Sequence, residues 1–272
     1  MITKMSDDAY FSLPAISNSY IGQFLRCPAA TLVRTETTPA MAFGSAVHCM
    51  VLEGADEFGK RYAVQFDKYD KRTKEGKAAV QEFEDANKGK VVLSGEDFQK
   101  ICSMYQSILD QPAAKDALEG ATTEQSITWV DRDALLECKA KADAMSGDWL
   151  IDLKTMSDGA TNPKKMASKL IDMGYARQMA FYGDGIKANN KPVNAHIIIA
   201  VETSAPFGVG VYRLTKELLE YGREQYKSAL AEIKKYPFGK PMPAYTDPNV
   251  VDIDLPYYLK SKSETPTMKG TN

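Results

Sequence analysis

Residues 138–155, CKAKADAMSGDWLIDLKT, constrain the fold more than any other stretch, because they predict two short strands joined by a glycine-containing turn. Successive side chains of a strand point to opposite faces, so Asp152 and Lys154 share one face while Leu153 lies on the other. Asp143 belongs to the first strand of the same hairpin. If only the apolar face is buried, an acid and a base are exposed together.

The remaining hydrophobic pattern predicts a sheet with helices around it. From position 124 the apolar residues repeat every two positions, which predicts three antiparallel strands in a meander. Helical patterns precede this block, including 17–33 and 41–53, and two helices, two strands and a long helix follow it. This order predicts the α/β class (α+β mixed), with a central mixed β-sheet flanked by helices.

The same pattern predicts three parts along the chain. Residues 1–15 are expected to form an irregular N-terminal arm, residues 16–240 a single domain, and residues 241–272 an irregular, partly disordered tail. With 272 residues, 44% of them hydrophobic, the chain is long enough to bury one substantial core. No apolar run approaches the roughly 18 residues of a membrane span, so no membrane association is expected.

Charge and cysteine content narrow the function classes. A net charge of −2 argues against a generally basic, histone-like surface, although 34 lysines and arginines are enough to line a groove for nucleic acid. The four cysteines are widely scattered, without the close spacing of a disulfide scaffold. They favour a reducing, cytoplasmic compartment.

Two acids and a lysine on adjoining strands suit metal-assisted phosphodiester cleavage, because carboxylates hold Mg²⁺ and an ammonium can lie beside the attacking water. A solvated strand with alternating acid and base gives the same D-x-K triplet. Asp152, however, lies in the apolar run WLIDL, where a charge without a function would be costly. Taken alone, His48 is better explained as a helix histidine with a purely structural role.

Taken together, the motifs resemble the PD-(D/E)XK nuclease superfamily, and in particular its RecE-like exodeoxyribonuclease VIII branch, which is related to the RecB nuclease domain and lambda exonuclease. The resemblance covers about residues 17–236. It rests on these segments: SNSYIGQFLRCP, GSAVHCMVLEG, DKRTKEGKAA, CKAKADAM, IDLKT and QMAFY.

The resemblance implies a PD-(D/E)XK restriction-endonuclease-like core and a role for each motif residue. The metal ligands would be His48, Asp143, Asp152 and the Leu153 backbone carbonyl. Two Mg²⁺ ions are expected, with Mn²⁺ as a substitute. Lys154 would position or help deprotonate the attacking water. Gln178 and Tyr182, four residues apart on one helix face, would contact the lysine or the DNA backbone.

Two assignments have alternatives. Glu137 lies on the same strand and face as Asp143 and is the second choice for the first acid, although the family string C-K-x-x-x-D favours Asp143. Some RecB-like nucleases use a cysteine in the setting of Cys27 as a ligand of an iron–sulfur cluster, which needs four thiolates in all. No cysteine follows Cys138, so no cluster is expected, and Cys27 is expected to be a buried apolar residue.

Basic residues in three segments could bind DNA phosphates without reading bases, or could simply be solvated. They are Arg26, Lys71, Arg72, Lys74, Lys77, Lys164 and Lys165, with Lys169 extending the last group.

The resemblance implies a Mg²⁺-dependent exonuclease that degrades linear double-stranded DNA from 5′ to 3′. The 3′ single-stranded tails would serve a RecT- or Red-beta-like annealing protein, in a bacterial cell that carries the gene on a phage or prophage. A homo-oligomeric ring is expected, a tetramer rather than a trimer. The alternatives are a RecB-like or Cas4-like nuclease of other polarity or single-strand preference, and a non-catalytic protein that binds DNA ends.

Overall fold

The computed structural model describes residues 1–33, 36–66, 69, 72–236, 240–245 and 250–256. The α-helices in these ranges are α1 (Asp7–Ser12), α2 (Asn18–Arg26), α3 (Pro39–His48), α4 (Ala55–Arg61), α5 (Lys74–Ala86), α6 (Gly95–Asp110), α7 (Pro112–Leu118), α8 (Pro163–Asp172), α9 (Tyr175–Ala188) and α10 (Lys216–Ile233). None of these helices is both long and apolar enough to cross a membrane. The parts of the predicted tail within the described ranges, 241–245 and 250–256, contain neither helix nor strand.

The strands form two sheets. They are β1 (Ile2–Lys4), β2 (Tyr62–Gln65), β3 (Val91–Ser94), β4 (Thr122–Asp131), β5 (Leu136–Ser146), β6 (Trp149–Met156), β7 (Ala195–Glu202) and β8 (Val209–Arg213). Six of them form one sheet in the order β1-β4-β5-β6-β7-β8, while β2 and β3 form a separate parallel pair. The predicted meander is confirmed as β4, β5 and β6.

Strand β6 lies inside the large sheet, antiparallel to β5 and parallel to β7. A parallel pair needs a long crossover, and α8 and α9 supply it. The remaining neighbours in this sheet are antiparallel, so the predicted central mixed sheet is confirmed.

Helices cover both faces of this sheet. On one face, Val47 of α3 and Met104 of α6 belong to the same apolar cluster as Leu153 of β6. On the other face, Met166 of α8 and Met179 of α9 belong to a second apolar cluster. Strand β6 is therefore buried from both sides, and the expectation that Asp152 is exposed was wrong. That carboxylate is 1% exposed, because α9 covers the face from which it points.

The N-terminal segment is not the predicted irregular arm. Strand β1 pairs with β4, and α1 begins after Ser6, whose side chain caps the first turn. The ammonium of Lys139 on β5 donates to the carbonyls of Tyr10 and Leu13 at the other end of α1, at 2.9 and 2.7 Å. The contacts with β4 and β5 join the segment to strands far along the chain, which the local sequence pattern does not indicate.

The first predicted helix was also too long. Helix α2 ends at Arg26, and a separate 3-10 turn covers Pro28–Leu32. Cys27 is extended at the break because the following proline disfavours the helical conformation for the residue before it. Its predicted burial is confirmed, since it is 8% exposed.

Helix α10 lies directly on α9. A Cβ on Gly222 would overlap the backbone carbonyl of Ala176, so the two helices approach more closely than any side chain there would allow. Asp184 of α9 accepts hydrogen bonds from the Arg223 guanidinium at 2.6 and 2.9 Å and from the Tyr226 hydroxyl at 2.6 Å. These contacts fix the position of α9 relative to α10.

His196 on β7 is a buried histidine whose Nε2 has no hydrogen-bond partner among the described residues. Burial, reinforced by the charge of Lys187, lowers its pKa from 6.5 to about 4. The folded protein keeps the ring neutral while the unfolded chain takes up a proton below pH 6.5, so stability falls as the pH drops towards 4. Because of this residue, the free energy of unfolding is expected to fall by about 2 kcal/mol between pH 7 and pH 5.

Urea unfolding of wild type and His196→Leu at the two pH values measures this contribution. The variant should lose less stability than the wild type over the interval. Equal losses in the two proteins would show that His196 does not titrate as its burial implies.

Candidate active site

The centre of the site is the carboxylate of Asp152 on β6. The Lys154 ammonium lies 2.6 Å from its Oδ2, and the Gln178 side chain on α9 donates to its Oδ1 at 2.5 Å. The lysine contact pairs the charges without hydrogen-bond alignment, and Oδ2 has no hydrogen-bond partner in the described parts of the chain. The ammonium also lies 5.0 Å from the centre of the Tyr175 ring. The structure thus brings Asp152, Lys154 and Gln178 together, with Gln178 bonded to the acid rather than to the lysine.

Asp143 lies where strands β5 and β6 separate. The last hydrogen-bonded pair of the hairpin is Ala144 with Ile151, and Asp143 and Asp152 are the next residues on the two strands. The Leu153 N–H donates to Asp143 Oδ2 at 2.8 Å and holds this acid against β6. The fork leaves both carboxylates at the same opening in the sheet.

His48 approaches Asp143 from α3, which lies on the opposite face of the sheet from α9. It is the last residue of α3, and the chain continues as a π-helical turn over Cys49–Glu53. Such turns change the direction of side chains and are frequent at functional sites. The His48 Nδ1 lies 3.6 Å from Asp143 Oδ2, and a quarter of its side-chain surface is exposed. The predicted histidine and acid therefore meet, although the histidine ends its helix rather than lying in the middle.

Glu124 on β4 is a third member of this group, and the sequence reasoning missed it. One ligand atom each from His48, Glu124 and Asp143 lie within 4.8 Å of one another. Lys141 lies 2.6 Å from the Glu124 carboxylate and 2.7 Å from that of Asp7 on α1. No short sequence motif links Glu124 to Asp143, because the two residues meet only through the pairing of β4 with β5.

Burial and charge act against each other in this site. Burial raises the pKa of Asp152 to about 6, with Asp143 adding to the effect and Lys154 opposing it. Burial also raises the pKa of Asp143. For Lys154, burial alone would lower the pKa, but the two carboxylates outweigh it and raise the pKa. Burial lowers the pKa of His48, with Lys154 contributing, which favours the neutral imidazole.

These residues fit a divalent cation. The donors near Asp143 are one imidazole nitrogen and carboxylate oxygens, a set that suits Mg²⁺ or Mn²⁺. A neutral histidine is the form that binds metal. Asp152 lies at the same opening, with its Oδ2 buried and in contact with the Lys154 ammonium, so a cation bound by Asp152 would share this oxygen with the ammonium.

The second-choice acid does not reach the site. Glu137 is exposed, and six residues of strand separate it from Asp143, about 20 Å along β5. Tyr182 lies one helical turn beyond Gln178 and is half-buried against the apolar clusters under α9. Burial raises its pKa well above the usual value, with the charges of Asp152 and Asp143 adding to the effect.

The predicted basic residues are spread over separate elements. Exposed side chains are found on α2 for Arg26, at the start of α5 for Lys74 and Lys77, and at the start of α8 for Lys164 and Lys165. Lys169 is half-buried on α8, and Arg72 precedes α5. Lys71 lies outside the described residues.

Comparisons with known proteins agree with this geometry. A search of curated protein sequences finds no match. The fold is similar to a crystal structure described as "Putative exonuclease" from Eubacterium rectale, with a TM-score of 0.58 and 14% identity over 86% of this chain and 87% of that one. Residues 17–248 match the model of a PDDEXK-like domain of unknown function (DUF3799). With most of its length matched, the chain belongs to this PDDEXK-like family, and its mixed sheet is the core of a PD-(D/E)XK nuclease fold.

Proposed function

We propose that this protein is a metal-dependent exonuclease that degrades linear double-stranded DNA from the 5′ end. The observation that carries the proposal is the convergence of Asp152, Lys154, Asp143 and His48 at the fork between β5 and β6. The PDDEXK-like family of the chain supports the nuclease class. The polarity and the preference for duplex DNA rest on the resemblance of the motifs to RecE-like exonucleases.

The metal would be held by His48, Asp143, Asp152 and the Leu153 carbonyl. Bound Mg²⁺, one ion or two, lowers the pKa of a coordinated water and offsets the negative charge that develops on the phosphate. Mn²⁺ would satisfy the same oxygen and nitrogen donors.

Lys154 acts mainly through its charge. Because Asp152 and Asp143 raise its pKa, the ammonium stays protonated at neutral pH. In that form it donates to the attacking water or to a phosphate oxygen and stabilises the transition state, rather than removing a proton. Gln178 orients Asp152 through the bond to Oδ1, which leaves Oδ2 directed at Lys154. Tyr182 lies one turn further along α9 and packs against the apolar clusters, which keeps the turn that carries Gln178 in place.

We extend the proposal to the partners of this reaction. The exposed lysines of α5 and α8 would bind DNA phosphates, and the 3′ tails would pass to a RecT- or Red-beta-like annealing protein. A closed homo-oligomeric ring, a tetramer rather than a trimer, would keep the enzyme on its substrate. The four cysteines are free thiols, which suits the reducing cytoplasm of a bacterial cell.

A duplex labelled separately at its 5′ and 3′ ends tests the proposal. With Mg²⁺, the 5′ label should be released first as a small product, and chelation of the metal should stop the reaction. Release of the 3′ label first would favour a RecB-like or Cas4-like polarity. Absence of any product from linear duplex and single-stranded DNA would favour a protein that binds DNA ends without cutting them.

A further inference from the structure

Glu124 occupies an unusual position for a strand residue. Its neighbours pair with β5 as Thr123 with Ala144 and Gln125 with Ala142, so Glu124 lies directly opposite Asp143. Its backbone has a φ of 55°, in the left-handed region that L residues with bulky side chains rarely adopt. A conformation of this kind persists only where the surrounding structure holds it, and here it occurs beside the candidate metal ligands.

The Glu124 carboxylate is held in place by Lys141 of β5, which is itself paired with a second carboxylate. Lys141 lies 2.6 Å from Glu124 Oε2, and the same ammonium lies 2.7 Å from Asp7 on α1. The Glu124 side chain is 14% exposed. Within the described ranges, Lys141 is its one ion-pair or hydrogen-bond partner, so the second carboxylate oxygen remains available.

The donors lie close enough together for one cation to reach all three. Oxygen and nitrogen ligands at about 2.0–2.4 Å from a cation are separated by about 3 Å when adjacent and by about 4.5 Å when opposite. The atoms of His48, Glu124 and Asp143 fall within 4.8 Å of one another. Asp152 is not in this group, because its two oxygens face Lys154 and Gln178.

We propose that Glu124 is a ligand of the divalent cation that His48 and Asp143 bind, and that Lys141 and Asp7 position it for that purpose. This inference rests on the proposed nuclease function and adds a ligand outside the sequence motifs. It also gives the N-terminal helix α1 a part in building the metal site.

Titration of the full chain with Mn²⁺ alone, without DNA, tests the proposal by calorimetry. Glu124→Gln keeps the size of the side chain and removes its charge, and it should weaken Mn²⁺ binding at least tenfold. Glu124→Asp keeps a carboxylate and tolerates a positive φ better, so it should bind more tightly than Glu124→Gln and provides a folded variant if the latter is unstable. Glu137→Gln on β5 is the matched control and should bind as the wild type does.

The outcomes separate this inference from the function on which it rests. Wild-type affinity in Glu124→Gln, with binding lost in Asp143→Asn, would overturn the role of Glu124 and leave the metal-dependent nuclease intact. A wild type that binds no Mn²⁺ at millimolar concentration would overturn both. If Glu124 only paired with Lys141, Glu124→Gln would lower the melting temperature by the same amount with and without Mn²⁺. If Glu124 is a ligand, Mn²⁺ should raise the melting temperature of the variant less than it raises that of the wild type.

Discussion

Replacement of Lys154 by alanine is expected to lower the rate of DNA cleavage at least about 1000-fold, which corresponds to about 4 kcal/mol of transition-state stabilisation. The ammonium is the one cation in direct contact with the Asp152 carboxylate among the described residues. Lys141 cannot replace it, since its ammonium is already paired with Glu124 and Asp7. Single-turnover digestion of end-labelled duplex in Mg²⁺ measures the effect.

Two controls belong with this experiment. Lys100→Ala removes an exposed lysine of α6 that is paired only loosely with Asp97, at 3.9 Å, and should cleave at the wild-type rate. Lys154→Met keeps an apolar stem of similar length, removes the ammonium that lies 5.0 Å from the centre of the Tyr175 ring, and should be as inactive as the alanine variant. Cleavage by Lys154→Ala at the wild-type rate would refute the catalytic assignment.

Gly222→Ala is expected to destabilise the protein by about 3 kcal/mol, a large effect for the addition of one methyl group. The new Cβ would overlap the Ala176 carbonyl in the first turn of α9, and backbone cannot move aside as a flexible side chain can. Helices α9 and α10 must therefore separate, which stretches the hydrogen bonds that Arg223 and Tyr226 donate to Asp184. Urea unfolding measures the loss.

Gly59→Ala is the matched control, because Gly59 lies in α4 and a Cβ there meets nothing within 4 Å. This substitution should be neutral or should stabilise the protein by up to about 1 kcal/mol, the usual gain from alanine in a helix. Similar stabilities for the two variants would show that α9 and α10 are not in tight backbone contact.

The sequence predicted those features whose signals are local. The two-residue period identified β4, β5 and β6, and the D-x-K spacing placed Asp152 and Lys154 on one face. The four-residue spacing placed Gln178 and Tyr182 on one face of a single helix, α9. These predictions succeeded because strand and helix geometry is set by neighbouring residues.

The features that the sequence did not predict depend on contacts between distant segments. Asp152 is buried because α9 folds over its face of the sheet, and strand alternation alone cannot say whether a polar face is covered. Glu124 joins His48 and Asp143 through strand register and a positive φ, neither of which leaves a motif. The N-terminal segment is ordered by Lys139, whose acceptors are carbonyls and carry no residue signature.

The place of β1 in the sheet has a consequence for the order in which a growing chain can fold on the ribosome. Ile2 pairs with Ile127, and the lysines that anchor α1 lie on β5, so β1 and α1 cannot dock on the sheet until the β4–β5 hairpin has emerged. Closing such a long loop costs entropy before any contact repays it, which makes this docking a late step. The Asp7–Lys141–Glu124 contacts therefore form only after Asp143 itself has been made, and a nascent chain cannot assemble the candidate cation site early.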